Sequence, residues 1–287
     1  MSERTGRPNA RHRRRRRRAN ADRTPAKRLS FKTIFADEFC EIRANRRALK
    51  KADRVLLSFT GGGHAMGGMR VQTLEFVGTA SRQGAPIFIT DLTRSWGNRL
   101  DFPRIADRLA PYLEGKEVVS LGNSMGGFLS ILATSYLPIK TAIAMSPQFS
   151  VHPQIVPQER RWAKYRRTID AFRYDSLEGH FHSGTKYYAF FGAAPSERVH
   201  FKKFPVCDNV AVMVFPGQGH SLAQWLHGQG QMDTIISACI SGTFSLPMIR
   251  DAAGPDAYQI GTQHRSSMMR SLWARLSPLV RSPLGQR

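Results

Sequence analysis

A serine framed by glycines near the middle of the chain constrains the fold more than any other feature. The sequence Gly122-Asn123-Ser124-Met125-Gly126 follows a short apolar run, and an apolar, helix-like segment follows it. This order places the serine on a tight turn between a strand and a helix, the arrangement called a nucleophile elbow. Glycines are expected there because the turn strains the serine backbone and leaves no space for neighbouring Cβ atoms.

Continuous apolar runs recur along the chain, as expected for strands that are covered on both faces of a sheet. They are RVLLSF at 54–59, PIFITDL at 86–92, TAIAMS at 141–146, KYYAFFG at 186–192 and NVAVMVF at 209–215. Helices are predicted at 68–82, 104–114, 128–137 and 221–243, and residues 31–42 are predicted to form a strand or hairpin at the sheet edge. The alternation predicts an α/β fold with a mostly parallel, doubly wound sheet.

Length and composition fit one large domain with extensions. The chain has 287 residues, of which 41% are hydrophobic, enough to bury a full core. We predict that the domain covers residues 31–249. A small helical insertion is predicted at about 147–185, where aromatic and arginine residues interrupt the strand pattern. Residues 250–287 are polar and basic and are predicted to form a C-terminal tail.

The N-terminal segment carries half of the excess positive charge. Residues 1–32 contain thirteen Lys or Arg against Glu3 and Asp22, a net +11 of the total +22. Residues 1–30 are therefore predicted to be a disordered, Arg-rich tail. Nonspecific contact with nucleic acid or an anionic membrane through counterion release is one interpretation, and a solvated tail with no defined partner is the other.

Composition also predicts the compartment. The three cysteines, Cys40, Cys207 and Cys239, are odd in number and widely spaced, so neither a disulfide framework nor a zinc site is expected. No apolar run approaches the roughly 20 residues that span a bilayer, and no apolar segment follows the basic N-terminus as in a secretion signal. A cytoplasmic protein without metal or cofactor is expected, a transit peptide is the lesser alternative, and the oligomeric state stays open.

Candidate reactive residues follow several predicted strands, and parallel strands bring such positions to one sheet edge. Glu197 follows KYYAFFG, and His220 follows NVAVMVF. A serine nucleophile needs a base within hydrogen-bond reach, and that base needs an acid. We predict that Ser124 is the nucleophile, His220 the base and Glu197 the acid, in the order Ser, acid, His. The alternative for His220 is a helix-capping or surface histidine.

The acid is the open member of this set. Glu197 is the carboxylate close to the end of its strand, but a glutamate there also suits the positive end of a helix dipole. Asp175, in the insertion, is the second candidate. Asp208 precedes a strand and is therefore expected at the opposite edge of the sheet.

Backbone N–H groups near the serine are predicted to bind negative charge that develops on the substrate. Met125, directly after the serine, supplies one donor. The second is expected from Gly61 or Gly62, in the loop after the first buried strand, where His64 could line the pocket. A phosphate-binding loop is disfavoured because the chain has neither Gly-Lys-Ser/Thr nor Gly-x-Gly-x-x-Gly at a strand-to-helix turn.

Three stretches, SFTGGG, LGNSMGGF and GQGHSL, resemble the α/β-hydrolase superfamily over most of residues 31–245. Within it, AIAMSPQFSV followed by RRWAKYRR is similar to a poorly characterised group of bacterial serine hydrolases, some found near surface-polysaccharide genes. In those relatives the acid is usually an aspartate shortly after the penultimate strand. Here the matching place holds Glu197.

These features predict a serine hydrolase that cleaves an ester or thioester of a small-molecule or acylated substrate through an acyl-enzyme. The alternative is a noncatalytic α/β-hydrolase-fold protein that binds or scaffolds, with the Arg-rich tail on nucleic acid or membrane. Four arginines of the insertion would favour an anionic substrate or form a solvated charged face: Arg160, Arg161, Arg166 and Arg167.

Overall fold

The computed structural model describes residues 30–62 and 72–261, and every element named below lies in the unit Lys32–Arg287. Within the described residues, nine strands form one sheet. They are β1 (Lys32–Ala36), β2 (Cys40–Ala44), β3 (Arg54–Phe59), β4 (Ala85–Asp91), β5 (Glu117–Asn123), β6 (Thr141–Met145), β7 (Lys186–Gly192), β8 (Val210–Phe215) and β9 (Tyr258–Gln259).

The sheet is parallel in its centre and antiparallel at its edges. Its order is β1-β2-β4-β3-β5-β6-β7-β8-β9. The six strands from β4 to β8 in this order run parallel, whereas β1, β2 and β9 pair antiparallel at the two edges. The mostly parallel sheet and the edge hairpin at 31–42 are therefore confirmed.

Helices cover both faces of the sheet. They are α1 (Arg46–Lys51), α2 (Val77–Gln83), α3 (Phe102–Leu113), α4 (Met125–Leu132), α5 (Ala163–Arg166), α6 (Pro195–Phe201), α7 (Leu222–Gly228), α8 (Met232–Ser241) and α9 (Leu246–Ala253). Alternate residues of a pleated strand point to opposite faces. Val55 and Leu57 accordingly belong to the core that α3 and α4 cover, and Leu56 belongs to the core that α7 and α8 cover.

Helix α3 shows how the sequence sets one of these contacts. Asp101 caps its start by accepting a hydrogen bond from the Arg104 N–H, and Pro103 occupies the first turn, where a missing N–H costs nothing. Four side chains at helical spacing then form one buried stripe against the sheet: Phe102, Ile105, Leu109 and Leu113. Pro111 is accommodated near the C-terminal end.

Four segments differ from their predicted form. The helix predicted at 68–82 begins only at Val77, and residues 72–76 are irregular. Residues 221–243 form two helices, α7 and α8, because the chain leaves the helix after Gly228 and Gly230 adopts a φ of +69°. The insertion at 147–185 contains one helical turn, α5, among turns and irregular backbone. The predicted boundary at residue 249 falls inside α9, and β9 beyond it pairs with β8.

Several predictions fall outside the described part of the chain. The N-terminal tail, Gly63, His64 and residues 262–287 all lie there, as do residues 68–71 of the first predicted helix. None of the helices that the structure describes has the length and apolar character that crossing a membrane requires.

The first testable consequence concerns the contact between α4 and β3. A Cβ added to Gly126 would lie 2.2 Å from the Phe59 carbonyl oxygen. We expect Gly126→Ala to lower the free energy of unfolding by about 3 kcal/mol, because both backbones must move apart. The midpoint of urea denaturation measures this loss. Gly184→Ala is the matched control, since its new Cβ meets nothing within 4 Å. Equal midpoints for the two variants would contradict the close packing.

Candidate active site

Ser124 occupies the turn between β5 and α4 with a φ of 57° and a ψ of −120°. This conformation is strained for a residue with a Cβ and persists only where the surroundings enforce it. The Ser124 N–H donates to the Met145 carbonyl at 2.8 Å, which ties the turn to β6. A Cβ on Gly122 would lie 2.1 Å from the Gly126 carbonyl oxygen, so the turn requires both glycines.

His220 joins the serine to a carboxylate. The Ser124 hydroxyl lies 2.9 Å from His220 Nε2, and His220 Nδ1 lies 3.1 Å from Glu197 Oε1. A carboxylate only accepts hydrogen bonds, so Nδ1 carries the proton and Nε2 accepts from the hydroxyl. Ser124 and Glu197 are buried, whereas the His220 side chain is 25% exposed. The structure thus brings together the three residues that the sequence singled out.

The loop after β8 meets the start of α6 because the ends of β7 and β8 are tightly packed. The Ala194 N–H donates to the Gln218 carbonyl at 3.2 Å. A Cβ on Gly192 would lie 2.3 Å from the same oxygen. Glu197, in the first turn of α6, therefore faces His220. Asp175, the alternative acid, has an exposed side chain instead.

Arg161 binds the same oxygen of Glu197 that faces His220. Its Nη1 donates to Glu197 Oε1 at 2.5 Å, and its Nε and Nη2 donate to Glu159 at 3.1 and 2.5 Å. Burial alone would raise the pKa of Glu197, but hydrogen bonds and charges from His220 and Arg161 outweigh it and hold that pKa below its usual value. Glu197 is therefore ionised at neutral pH.

A second histidine and carboxylate lie behind Arg161. His200 is fully buried, its Nε2 lies 2.9 Å from Glu159 Oε2, and its Nδ1 accepts from the Phe149 N–H at 3.2 Å. An Nδ1 that accepts carries no proton, so the Nε2 of His200 is the nitrogen that donates to Glu159. Burial opposes ionisation of Glu159, yet hydrogen bonds from His200 and Arg161 lower its pKa to about 2. Sequence analysis did not identify this pair, because its partners are remote in the chain.

Removing Arg161 tests this ionic cluster. We expect Arg161→Met to lower the free energy of unfolding at pH 7 by about 2 kcal/mol, since two buried carboxylates lose their cation. The pKa of Glu159 is lower in the folded protein than in the unfolded chain. Ionised Glu159 therefore stabilises the fold fully above its unfolded pKa, and this stabilisation is lost as the pH falls towards 2. The deficit of the variant should therefore shrink between pH 7 and pH 3 in chemical denaturation.

The exposed neighbour Arg160 provides the control for that experiment. Arg160→Met removes the same charge from the adjacent position and should change the free energy of unfolding by less than about 0.5 kcal/mol. A deficit of equal size in both variants, or one independent of pH, would mean that Arg161 does not act through the two carboxylates.

The glycine loop after β3 is held by two charged side chains. The Glu75 carboxylate lies against Gly61, and Arg94 Nε donates to the Gly62 carbonyl at 2.7 Å. Met125 is the first residue of α4, a position whose N–H has no partner within the helix.

Glu75 is a buried carboxyl group that no sequence pattern had singled out. Burial raises its pKa to about 7, and the hydrogen bond from Gly61 only partly opposes this rise. Its Oε2 is buried without a hydrogen-bond partner among the described residues. The ionised form is thus poorly solvated next to the glycine loop.

Glu75 makes stability depend on pH. The pKa of Glu75 is higher in the folded protein than in the unfolded chain, so its carboxyl group ionises less readily in the folded protein. The free energy of unfolding should therefore fall as the pH rises from about 4.5 to 7. Glu75→Gln keeps an acceptor for Gly61 and removes the charge. We expect it to be more stable than the wild type at pH 8 by on the order of 3 kcal/mol and similar at pH 4. Parallel stability curves in chemical denaturation would refute this assignment.

Gln148 also reaches the serine. It follows β6, is fully buried, and its Nε2 lies 3.1 Å from Ser124 Oγ. The strand-end rule that selected Glu197 and His220 would also have selected it, had that rule been applied to TAIAMS. Trp162 lies beside the site, with ring centroids 5.4 Å from His220 and 6.1 Å from Trp96.

Comparison with known proteins supports the fold. No family model and no curated protein sequence matches the chain. A capsule O-acetyltransferase of Neisseria meningitidis serogroup A is similar in structure, with 14% identity, a TM-score of 0.51, and coverage of 75% of this chain and 97% of that one. The carboxylesterase CesB from Bacillus subtilis has 15% identity, a TM-score of 0.47, and coverage of 75% and 93% respectively. With the sheet topology, the first likeness shows that the chain has the α/β-hydrolase fold.

Proposed function

Starting from the α/β-hydrolase fold, we propose that this protein is a serine hydrolase that cleaves an ester or thioester through an acyl-enzyme. One observation carries the proposal. Ser124 Oγ, His220 and Glu197 form a continuous hydrogen-bond series at 2.9 and 3.1 Å, and it begins at a serine on a strained strand-to-helix turn. A serine hydroxyl becomes nucleophilic when a base and an orienting acid are arranged in this way.

In the acylation step, Ser124 Oγ attacks the carbonyl carbon of the substrate while its proton moves to His220 Nε2. Glu197 holds the Nδ1 proton and stabilises the imidazolium cation that forms. The N–H groups of Met125 and of Gly61 or Gly62 are the proposed donors to the developing oxyanion. His220 then protonates the leaving alcohol or thiol.

In the second step, His220 takes a proton from water, the water oxygen attacks the acyl carbon, and Ser124 is released. These residues complete the cycle without a metal or cofactor. An alcohol can replace water in this step, which transfers the acyl group instead of hydrolysing it. Because a capsule O-acetyltransferase has a similar structure, the hydroxyl groups of sugars should be included among the acceptors tested.

The arginines of the insertion support an anionic substrate less than the sequence suggested. Arg161 is bound by Glu159 and Glu197, and Arg166 donates to the Glu159 carbonyl at 2.9 Å. Both serve internal contacts. The aromatic ring of Trp162, 5.4 Å from His220, favours instead an uncharged acyl group.

A fluorophosphonate probe, which phosphonylates activated serines, tests the proposal. We expect labelling of the wild type, none in Ser124→Ala, and a rate at least about 10³-fold lower in His220→Ala, because the hydroxyl loses its base. Labelling is measured by intact-protein mass spectrometry. Ser221→Ala, which removes the hydroxyl next to His220, is the control and should label like the wild type.

The result also separates the enzyme from a noncatalytic binding protein of the same fold. A wild type that fails to label, labelling that persists in Ser124→Ala, or labelling of His220→Ala at the wild-type rate would overturn the proposed function.

A further inference from the structure

The side chain of Gln148 is placed to act on the reacting oxygen itself. It is fully buried, and its Nε2–H donates to Ser124 Oγ at 3.1 Å. The same oxygen donates its own proton to His220 Nε2 at 2.9 Å. Ser124 Oγ is thus held from two sides before any substrate binds.

The orientation of the Gln148 amide is fixed by Trp96. The indole Nε1–H donates to Gln148 Oε1 at 3.0 Å, and an indole N–H can only donate. The amide oxygen must therefore face Trp96, so the NH₂ group faces Ser124.

Trp96 is itself held by a buried carboxylate. Asp91 accepts hydrogen bonds from Thr93, Ser95 and Gly97, and these bonds shape the loop after β4 that carries the indole. Trp96 is 1% exposed and has a φ of 52°. The donor that points at Ser124 is consequently preorganised by residues outside the Ser–His–Glu series.

The serine hydroxyl has one proton and two lone pairs. The hydroxyl donates its proton in a hydrogen bond to His220, and one of its lone pairs accepts from Gln148. A single lone pair therefore remains to attack a carbonyl carbon. Gln148 and His220 together therefore aim the nucleophile.

The hydrogen bond from Gln148 matters differently in the two halves of the reaction. Acylation begins from a hydroxyl that already has this bond. The acyl-enzyme begins from an ester oxygen, which is a weak acceptor. When water has attacked and the bond from the acyl carbon to Oγ breaks, the electron pair goes to Oγ, which then takes the proton from His220. Charge develops on Oγ in that step, and a donor aimed at it stabilises the transition state.

We propose that Gln148 is a catalytic residue that stabilises Ser124 Oγ as the leaving group of deacylation, a role that rests on the proposed serine-hydrolase function. Gln148→Met keeps the shape of the side chain and removes the donor. Deacylation should slow by about tenfold or more, and acylation should stay within about threefold of the wild type.

Stopped-flow release of p-nitrophenol from p-nitrophenyl acetate separates the two steps, and mass spectrometry of the protein during turnover measures the acetyl-enzyme. Gln148→Met should show a burst close to one equivalent and accumulate the acetylated protein. Ser150→Ala is the control from the same loop, since its hydroxyl donates to the Asp175 carbonyl instead. It should match the wild type in both rates.

Trp96→Phe provides an independent variant in case Gln148→Met does not fold. It leaves Gln148 in place but removes the indole donor that orients the amide, so it should slow deacylation in the same direction by a smaller factor. Equal slowing of both steps would reduce Gln148 to a packing role and overturn the proposal, as would unchanged rates. A wild type that neither labels with fluorophosphonate nor forms an acetyl-enzyme would overturn the proposed function itself, a distinct outcome.

Discussion

The rest of the site depends on the close approach of two backbones around Ser124. Gly122 and Gly126 let α4 begin in contact with the ends of β3 and β5, where a Cβ at either position would lie within 2.2 Å of a carbonyl oxygen. This contact holds the serine at positive φ and sets the start of α4 beside Gly61. Strain at one residue is thereby balanced by the packing of a whole helix.

A second constraint is electrostatic. Glu197 is a buried anion, and His220 alone would leave its charge largely uncompensated. Arg161 supplies a cation, and Glu159 in turn balances Arg161, so negative charge remains on Glu197 to stabilise a protonated His220. His200 completes the cluster by contacting Glu159 from a fully buried ring. The acid after β7 is a glutamate, and Arg161 of the insertion holds its side chain in place.

The elements predicted best were those whose signal is local. A strand buried on both faces must be apolar throughout, and every such run became a central strand. The single helix predicted at 221–243 failed because Gly228 and Gly230 end α7, a local effect that the apolar spacing on both sides obscured. Glu75 and Glu159 were missed because each acts through partners far away in the chain, and no spacing rule reports such contacts. Gln148 was missed because the strand-end rule was not applied to the strand that precedes it.

The sequence by itself determined the order of strands and helices, the strained turn at Ser124 and the edge of the sheet at which His220 and Glu197 meet. Periodicity and glycine placement are local properties that do not depend on knowing the partners. Only the tertiary structure decided that Glu197 rather than Asp175 faces His220, that the Glu75 carboxylate lies against Gly61, and that Gln148 donates to the serine. Those outcomes depend on distances of a few ångströms between side chains on different elements, which are set by how the helices and loops pack on the sheet.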